Sequence, residues 1–171
     1  MILMITKEQL QFLMQVFFKT SDMLQSWAGE KIHICLCTKE TEGDYYWSSF
    51  LLHDNLGHCF GINIGLGDII QSRYPPDAIA GIMAHEVAHY VLGHGNTGKA
   101  STPQDELQAD CLATQMLIEC NYENPRALIE NLEDKCRIHN VSIYKDTFGN
   151  HPCTADRKKA MEEVIKYVLS K

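Results

Sequence analysis

The pentapeptide His85-Glu86-Val87-Ala88-His89 sets the tightest condition on this chain. It lies in a run where Ile79, Ile82, Met83, Val87 and Tyr90 recur at helical spacing, so the segment reads as a helix with a burying face. On such a helix His85 and His89 stand one turn apart on one side. Two imidazoles so placed can hold one Zn2+. Glu86, rotated about 100° from His85, reaches beside the metal instead of ligating it. There it can take a proton from a water whose pKa the metal lowers toward neutrality. Chance yields such a pattern in roughly 3% of shuffled chains of this composition, so its surroundings must carry the assignment.

A catalytic zinc usually takes three protein ligands and a water. His94 is a poor third ligand. It is nine residues past His85, about 900° around a continuous helix, and so faces the other way. The longer pattern His-Glu-x-x-His-x-x-Gly-x-x-His is also broken, by Leu92 and Gly95. His94 reads instead as a residue at the helix C-terminus, where a histidine suits the dipole. Glu106, on the next predicted helix, is the better candidate, and Asp110 follows at i+4 on the same side. Two helices joined by a short loop can bring Glu106 to the metal. Asp110 can then accept the free ring N–H of a zinc histidine and fix its tautomer.

The rest of the chain, residues 1–171, reads as a single domain. Residues 6–28 carry Leu10, Leu13, Met14, Phe17, Leu24 and Trp27 at helical spacing and stop at Gly29, giving an amphipathic helix expected to cover the sheet. Strands are predicted over 31–37, 45–53 and 57–64. A short helix over 67–72 follows. A long one runs from Pro75-Pro76-Asp77 through about His94, and Gly95-Asn96-Thr97-Gly98 breaks it. Thr102 is a candidate N-cap, with Pro103 in the first turn, for a helix ending near Cys120. Further helices are expected from Pro125 to about His139 and over 154–169. Early strands and late helices indicate an α+β fold. The expected architecture is a small, mainly antiparallel three-stranded sheet packed on a helical bundle.

Composition narrows the function. A net charge of −7 and a pI near 5.5 argue against nucleic-acid and anionic-lipid partners. No run approaches the roughly 18 apolar residues of a spanning helix. The apolar start Met1-Ile2-Leu3-Met4-Ile5 is short, lacks a basic flank and does not read as a signal peptide. Seven scattered cysteines without a Cys-x-x-Cys pair read as reduced thiols, and the expected location is the cytoplasm.

At the metal-site residues the chain resembles a known family. His85-Glu86-Val87-Ala88-His89 followed by Glu106-Leu107-Gln108-Ala109-Asp110 is similar to the H-E-x-x-H and E-x-x-A-D motifs of the gluzincin peptidases of the HtpX and CAAX prenyl protease family. Asp77-Ala78-Ile79-Ala80-Gly81-Ile82-Met83-Ala84 resembles that family's approach to the first motif. His151-Pro152-Cys153-Thr154-Ala155-Asp156-Arg157 resembles its H-P-x-x-x-x-R segment. The likeness covers about residues 57–165. It implies a zincin-like metallopeptidase domain with one Zn2+ per chain on His85, His89 and Glu106. It further implies Glu86 as general base, Asp110 behind a zinc histidine, His151 stabilising the oxyanion and Arg157 organising that wall. Gly57 to Leu66 follows the family's strand pattern loosely. Gly61, Ile62, Asn63 and Ile64 are expected to form an edge strand to which an extended protein or peptide substrate adds.

The membrane segments and export signals common in that family are absent from this sequence, which looks like the bare catalytic domain. Two other functions remain open. One is a cytosolic regulatory metallopeptidase of the ImmA/IrrE type, which shares the first two motifs. The other is a zinc-stabilised binding protein without turnover, against which Glu86 argues, since a structural site needs no base.

Overall fold

The computed structural model describes residues 6–29, 31–71, 76–94, 101–122, 124–145 and 151–171. Met1–Ile5, Pro75, the break expected at 95–98 and the 146–150 part of the loop before His151 lie outside them.

Helix α1 (Lys7–Ala28) opens on a capping box: Thr6 Oγ1 accepts from Gln9 N–H, and the Gln9 side chain returns a bond to Thr6 N–H. It closes on Gly29, whose φ of 74° is the left-handed conformation that ends helices. Strand β1 (His33–Cys37), a short helix α2 (Asp44–Trp47), and strands β2 (Phe50–His53) and β3 (Cys59–Gly65) complete the first half. Helices α3 (Leu66–Gln71), α4 (Pro76–Val91), α5 (Pro103–Glu119), α6 (Ala127–Ile138) and α7 (Thr154–Leu169) follow. The fold is α+β, with a three-stranded sheet beside a helical assembly. On α5, Thr102 caps as predicted, exchanging bonds with Asp105 in a second capping box, with Pro103 in the first turn.

The sheet departs from expectation in two ways. Its order is β1-β3-β2, with β1 parallel and β2 antiparallel to β3, so it is mixed and not mainly antiparallel. Strand β3 is therefore central. Gly61, Ile62, Asn63 and Ile64 pair with β1 on one side and, through Gly61 to Asn63, with β2 on the other. The expected free edge there does not exist. Their side chains explain why: Ile62 and Ile64 are fully buried, and Asn63 turns inward to donate to the carbonyls of Tyr45 and Ser48 at 2.8 and 2.9 Å. Those bonds also explain the second correction. Residues 45–47, expected in a strand, form the turn of α2, which Asn63 holds closed against the sheet.

Helix α4 sits at the centre. It contacts α1, α5, α6 and two strands, and its Ile79, Ala80, Met83, Ala84, Val87 and Ala88 are fully buried. The expected single burying face thus becomes a helix enclosed on most sides. Helix α1 lays Phe17, Thr20, Ser21 and Leu24 against this assembly, packing on α4 where it was expected to cover the sheet. The seven cysteines are free thiols. No helix among the described residues is long and apolar enough to cross a membrane.

Gly65, at the end of β3, lets the α2–β2 connection approach closely. A Cβ there would press on the Tyr46 carbonyl and stand 2.8 Å from Ser48 O, backbone atoms that cannot step aside. Gly65→Ala should therefore cost about 1–3 kcal/mol, as overpacking does, in a urea unfolding titration. An unchanged midpoint would show that this connection is not fixed against β3.

Candidate metal centre

The site is built where α4 meets α5. One turn of α4 separates His85 from His89, and both rings face the first turns of α5, where Glu106 and Asp110 repeat the same spacing. His85 Nε2 lies 3.3 Å from Glu106 Oε2 and His89 Nε2 lies 3.4 Å from Glu106 Oε1. The two Nε2 atoms are 3.1 Å apart. Atoms that hold a small divalent cation tetrahedrally at about 2.0–2.1 Å stand about 3.3 Å from one another. The three donors already have that spacing and are all buried, so they could hold a metal ion, and the residues fit one.

Around them runs a chain of supporting contacts. Asp110, 0% exposed, lies with Oδ1 2.9 Å from His85 Nδ1. The ring nitrogen falls short of full hydrogen-bond geometry, yet the carboxylate beside it still favours the protonated ring. Arg157, from the first turn of α7, grips the same carboxylate with two bonds, Nε to Oδ2 at 2.6 Å and Nη2 to Oδ1 at 2.8 Å. His151 Nδ1 lies 2.7 Å from Glu106 Oε2. The structure thus gathers His85, Glu86, His89, Glu106, Asp110, His151 and Arg157 in one place. Gly61 to Ile64 stay in the sheet.

His94 is the residue that helical extrapolation misplaced. Helix α4 ends at Val91, and Gly93, at φ 71°, turns the chain back, with His94 N–H bonding to His89 O at 2.9 Å. The turn carries the His94 ring onto its predecessor: Nδ1 of His94 lies 3.0 Å from Nδ1 of His89, the nitrogen facing away from the donor cluster. On its far side, His94 Nε2 lies 3.1 Å from Gln108 Oε1. Gly93 immediately before His94 was the available signal.

Electrostatics follow from this layout. Burial alone would lower His85, but Asp110 and Glu106 outweigh it and raise the imidazole to about 9. Burial lowers His89. Burial would raise Glu106, yet hydrogen bonds from His151, His85 and His89 hold it far below the usual carboxylate range. Asp110, against the same burial penalty, is held down by Arg157. Glu86, half-buried, is pushed up to about 7 by burial, with His85 opposing and Glu106 adding to the rise. Glu106 and Asp110 thus take the closest cationic partners, while at Glu86 burial outweighs the opposing charges of His85 and Lys135.

Glu86, His85, His151 and Arg157 open on a cavity of about 400 Å³ between α4, α6 and the α2–β2 connection. Comparison of the chain with protein-family models, curated proteins and solved structures returns no match, so the site has to be read from its own geometry.

Two outcomes follow from these contacts. Arg157→Met leaves the Asp110 charge buried with half its support and should cost about 3–5 kcal/mol in denaturant unfolding; a loss under about 1 kcal/mol would show the pair is not structural. His94→Ala should weaken Co2+ binding, followed by its visible absorption, about 10–100-fold, as loss of a partner behind a ligating histidine does. Equal affinity would return His94 to a helix-end role.

Proposed function

We propose that the protein is a zinc-dependent endopeptidase. The observation that carries this reading is the combination of three ligating atoms at tetrahedral spacing with a fourth residue, Glu86, that is not among them and faces the cavity. Structural zinc sites are usually closed by four ligands rich in cysteine, whereas catalytic ones keep a position open. No cysteine joins this cluster among the described residues. Two imidazoles with one carboxylate favour zinc over calcium or magnesium, which prefer all-oxygen sites.

Zinc held there would polarise a scissile carbonyl and make a water acidic near neutral pH. The chain's own residues do the rest. Glu86, with its proton affinity raised toward neutrality, takes a proton from the attacking water and returns it to the leaving amine. His151 is tied through Nδ1 to Glu106, which leaves Nε2 for the oxygen that gains charge. Asp110, fixed by Arg157, holds His85 in place.

The peptide itself needs a backbone partner. With β3 interior, the open edge near the cavity is β2, and Ser48 and Ser49, which lead into it, line that cavity. The three-motif resemblance to the HtpX and CAAX prenyl protease family supports the same reaction. Within it, the grip of Arg157 on Asp110 gives the H-P-x-x-x-x-R segment a use and favours that family over the ImmA/IrrE type. A binding protein without turnover would leave Glu86, half-buried and charged at some cost, without a purpose.

Glu86→Gln should retain one zinc per chain by metal analysis and lose about 10²–10⁴-fold in cleavage of a denatured protein. Glu106→Ala should lose the zinc. A Glu86→Gln variant that cleaves like wild type, or a wild-type protein whose cleavage no chelator stops, would refute the mechanism.

A further inference from the structure

One polar group in the cavity wall takes no part in the metal cluster. Asn131, on α6, is 3% exposed, lines the cavity, and its Oδ1 has no hydrogen-bond partner among the described residues. A buried amide oxygen without a donor destabilises the fold, so its presence calls for an explanation outside folding.

The neighbours sharpen the point. Leu128, Asn131, Leu132, Lys135 and Cys136 form one helical stripe of α6, and all face the cavity that Glu86 and His85 share. The other polar groups near Asn131 satisfy one another. Lys135 Nζ donates to Asp68 Oδ1 at 3.1 Å, and Ser49 Oγ donates to Asp68 Oδ2 at the same distance. Cys136 Sγ and Thr154 Oγ1 are 3.1 Å apart. What remains unmet is a neutral amide, framed by the apolar side chains of Leu128, Leu132 and Ile82.

We propose that this pocket is a specificity subsite for a primary carboxamide: the side chain of a glutamine next to the scissile bond. The proposal rests on the peptidase reading. Half a turn of the Asn131 amide presents either its oxygen or its NH2, and a second carboxamide offers the matching acceptor and donor at once. The leucines and Ile82 pack the methylene stem that carries the head group inward from the backbone at the cleft. A lysine head would find the Asp68 oxygens already accepting from Lys135 and Ser49, and a glutamate head would find the Lys135 ammonium already held by Asp68, so either would lose its hydration against a neutral amide. A methionine of similar shape would fill the pocket and leave Asn131 unmet. A site built to hydrogen-bond a group discriminates strongly against the analogue that lacks it.

The test is a binding measurement that needs no turnover. Short peptide hydroxamates, whose head group seeks the metal, carry Gln, Met or Glu as the residue adjoining that group, and are titrated calorimetrically into zinc-loaded protein. The Gln compound should bind wild type at least about tenfold tighter than the Met or Glu compound. Asn131→Leu should erase or invert that order. It should also unfold at no lower temperature than wild type, since it removes an unpartnered amide and keeps the volume. Equal binding of Gln and Met compounds to wild type, or a Gln preference that survives Asn131→Leu, would overturn the subsite and leave the peptidase reading standing. If no hydroxamate of any side chain binds the zinc-loaded protein, the peptidase reading fails and the subsite fails with it.

Discussion

A single carboxylate, Asp110, holds the functional half of the molecule together. It is fully enclosed, and an enclosed charge is tolerated only where partners replace the water it has lost. Arg157 supplies two of those partners from α7, and His85 supplies charge from α4. Two other helices, α4 and α7, thus converge on one side chain of α5. Because the guanidinium is planar and bonds both oxygens, the carboxylate plane is set as well as its position. The edge it turns toward His85 then restricts where that imidazole can sit. Packing of Met83, Ala109, Ala113 and Met161 brings these helices into contact, but apolar contact is not directional. The orientation of the site comes from Asp110.

The donor cluster has its own electrostatic logic. Glu106 touches three histidines, and each contact lowers the affinity of its carboxylate for protons. Around the same centre the carboxylates of Glu106 and Asp110 draw a proton onto His85 up to about 9. The pocket is arranged to hold positive charge between two carboxylates, and a divalent ion could engage both imidazoles and Glu106 together. His94 extends this order outward: its ring meets the remaining nitrogen of His89 as Asp110 meets that of His85. Each candidate donor imidazole is therefore approached from behind by a different residue, one a carboxylate and one an imidazole.

Much of this was legible in the sequence where the rule was local. The helix periods, the capping residue Thr102 and the i, i+4 pairs His85/His89 and Glu106/Asp110 depend on neighbours within one turn, and they stand as read. The errors arose where a distant contact decided. Strand β3 was expected at an edge on the family likeness, but it pairs with β1 and β2 on its two sides, and Asn63 is held inward by its bonds to Tyr45 and Ser48. The aromatic run Tyr45-Tyr46-Trp47 has β-propensity, which those same bonds override to close a helical turn. His94 stays outside the donor group as expected, yet its ring lies elsewhere than the angle implied. The angular argument was sound for a continuous helix, but Gly93 ends the helix before it applies. Arg157 carried no local sign of burial, since its partner lies on another helix.

The distribution of satisfied and unsatisfied groups then separates the two sides of the site. On the α5 side the charged and imidazole groups engage one another: Glu106 with three histidines, Asp110 with Arg157, His89 with His94. On the α6 side Glu86 has a proton affinity raised by burial, and Asn131 Oδ1 has no hydrogen-bond partner among the described residues. A folded chain gains nothing from either group by itself, because an apolar residue of the same volume would avoid the desolvation cost. Both line one cavity that also receives His85. On the α5 side even His85 Nδ1, which makes no hydrogen bond, has the Asp110 carboxylate beside it, whereas on the α6 side Asn131 Oδ1 has no partner among the described residues. On the proposed reading, that asymmetry would seat a peptide between Glu86 and α6, with the three candidate metal donors behind it.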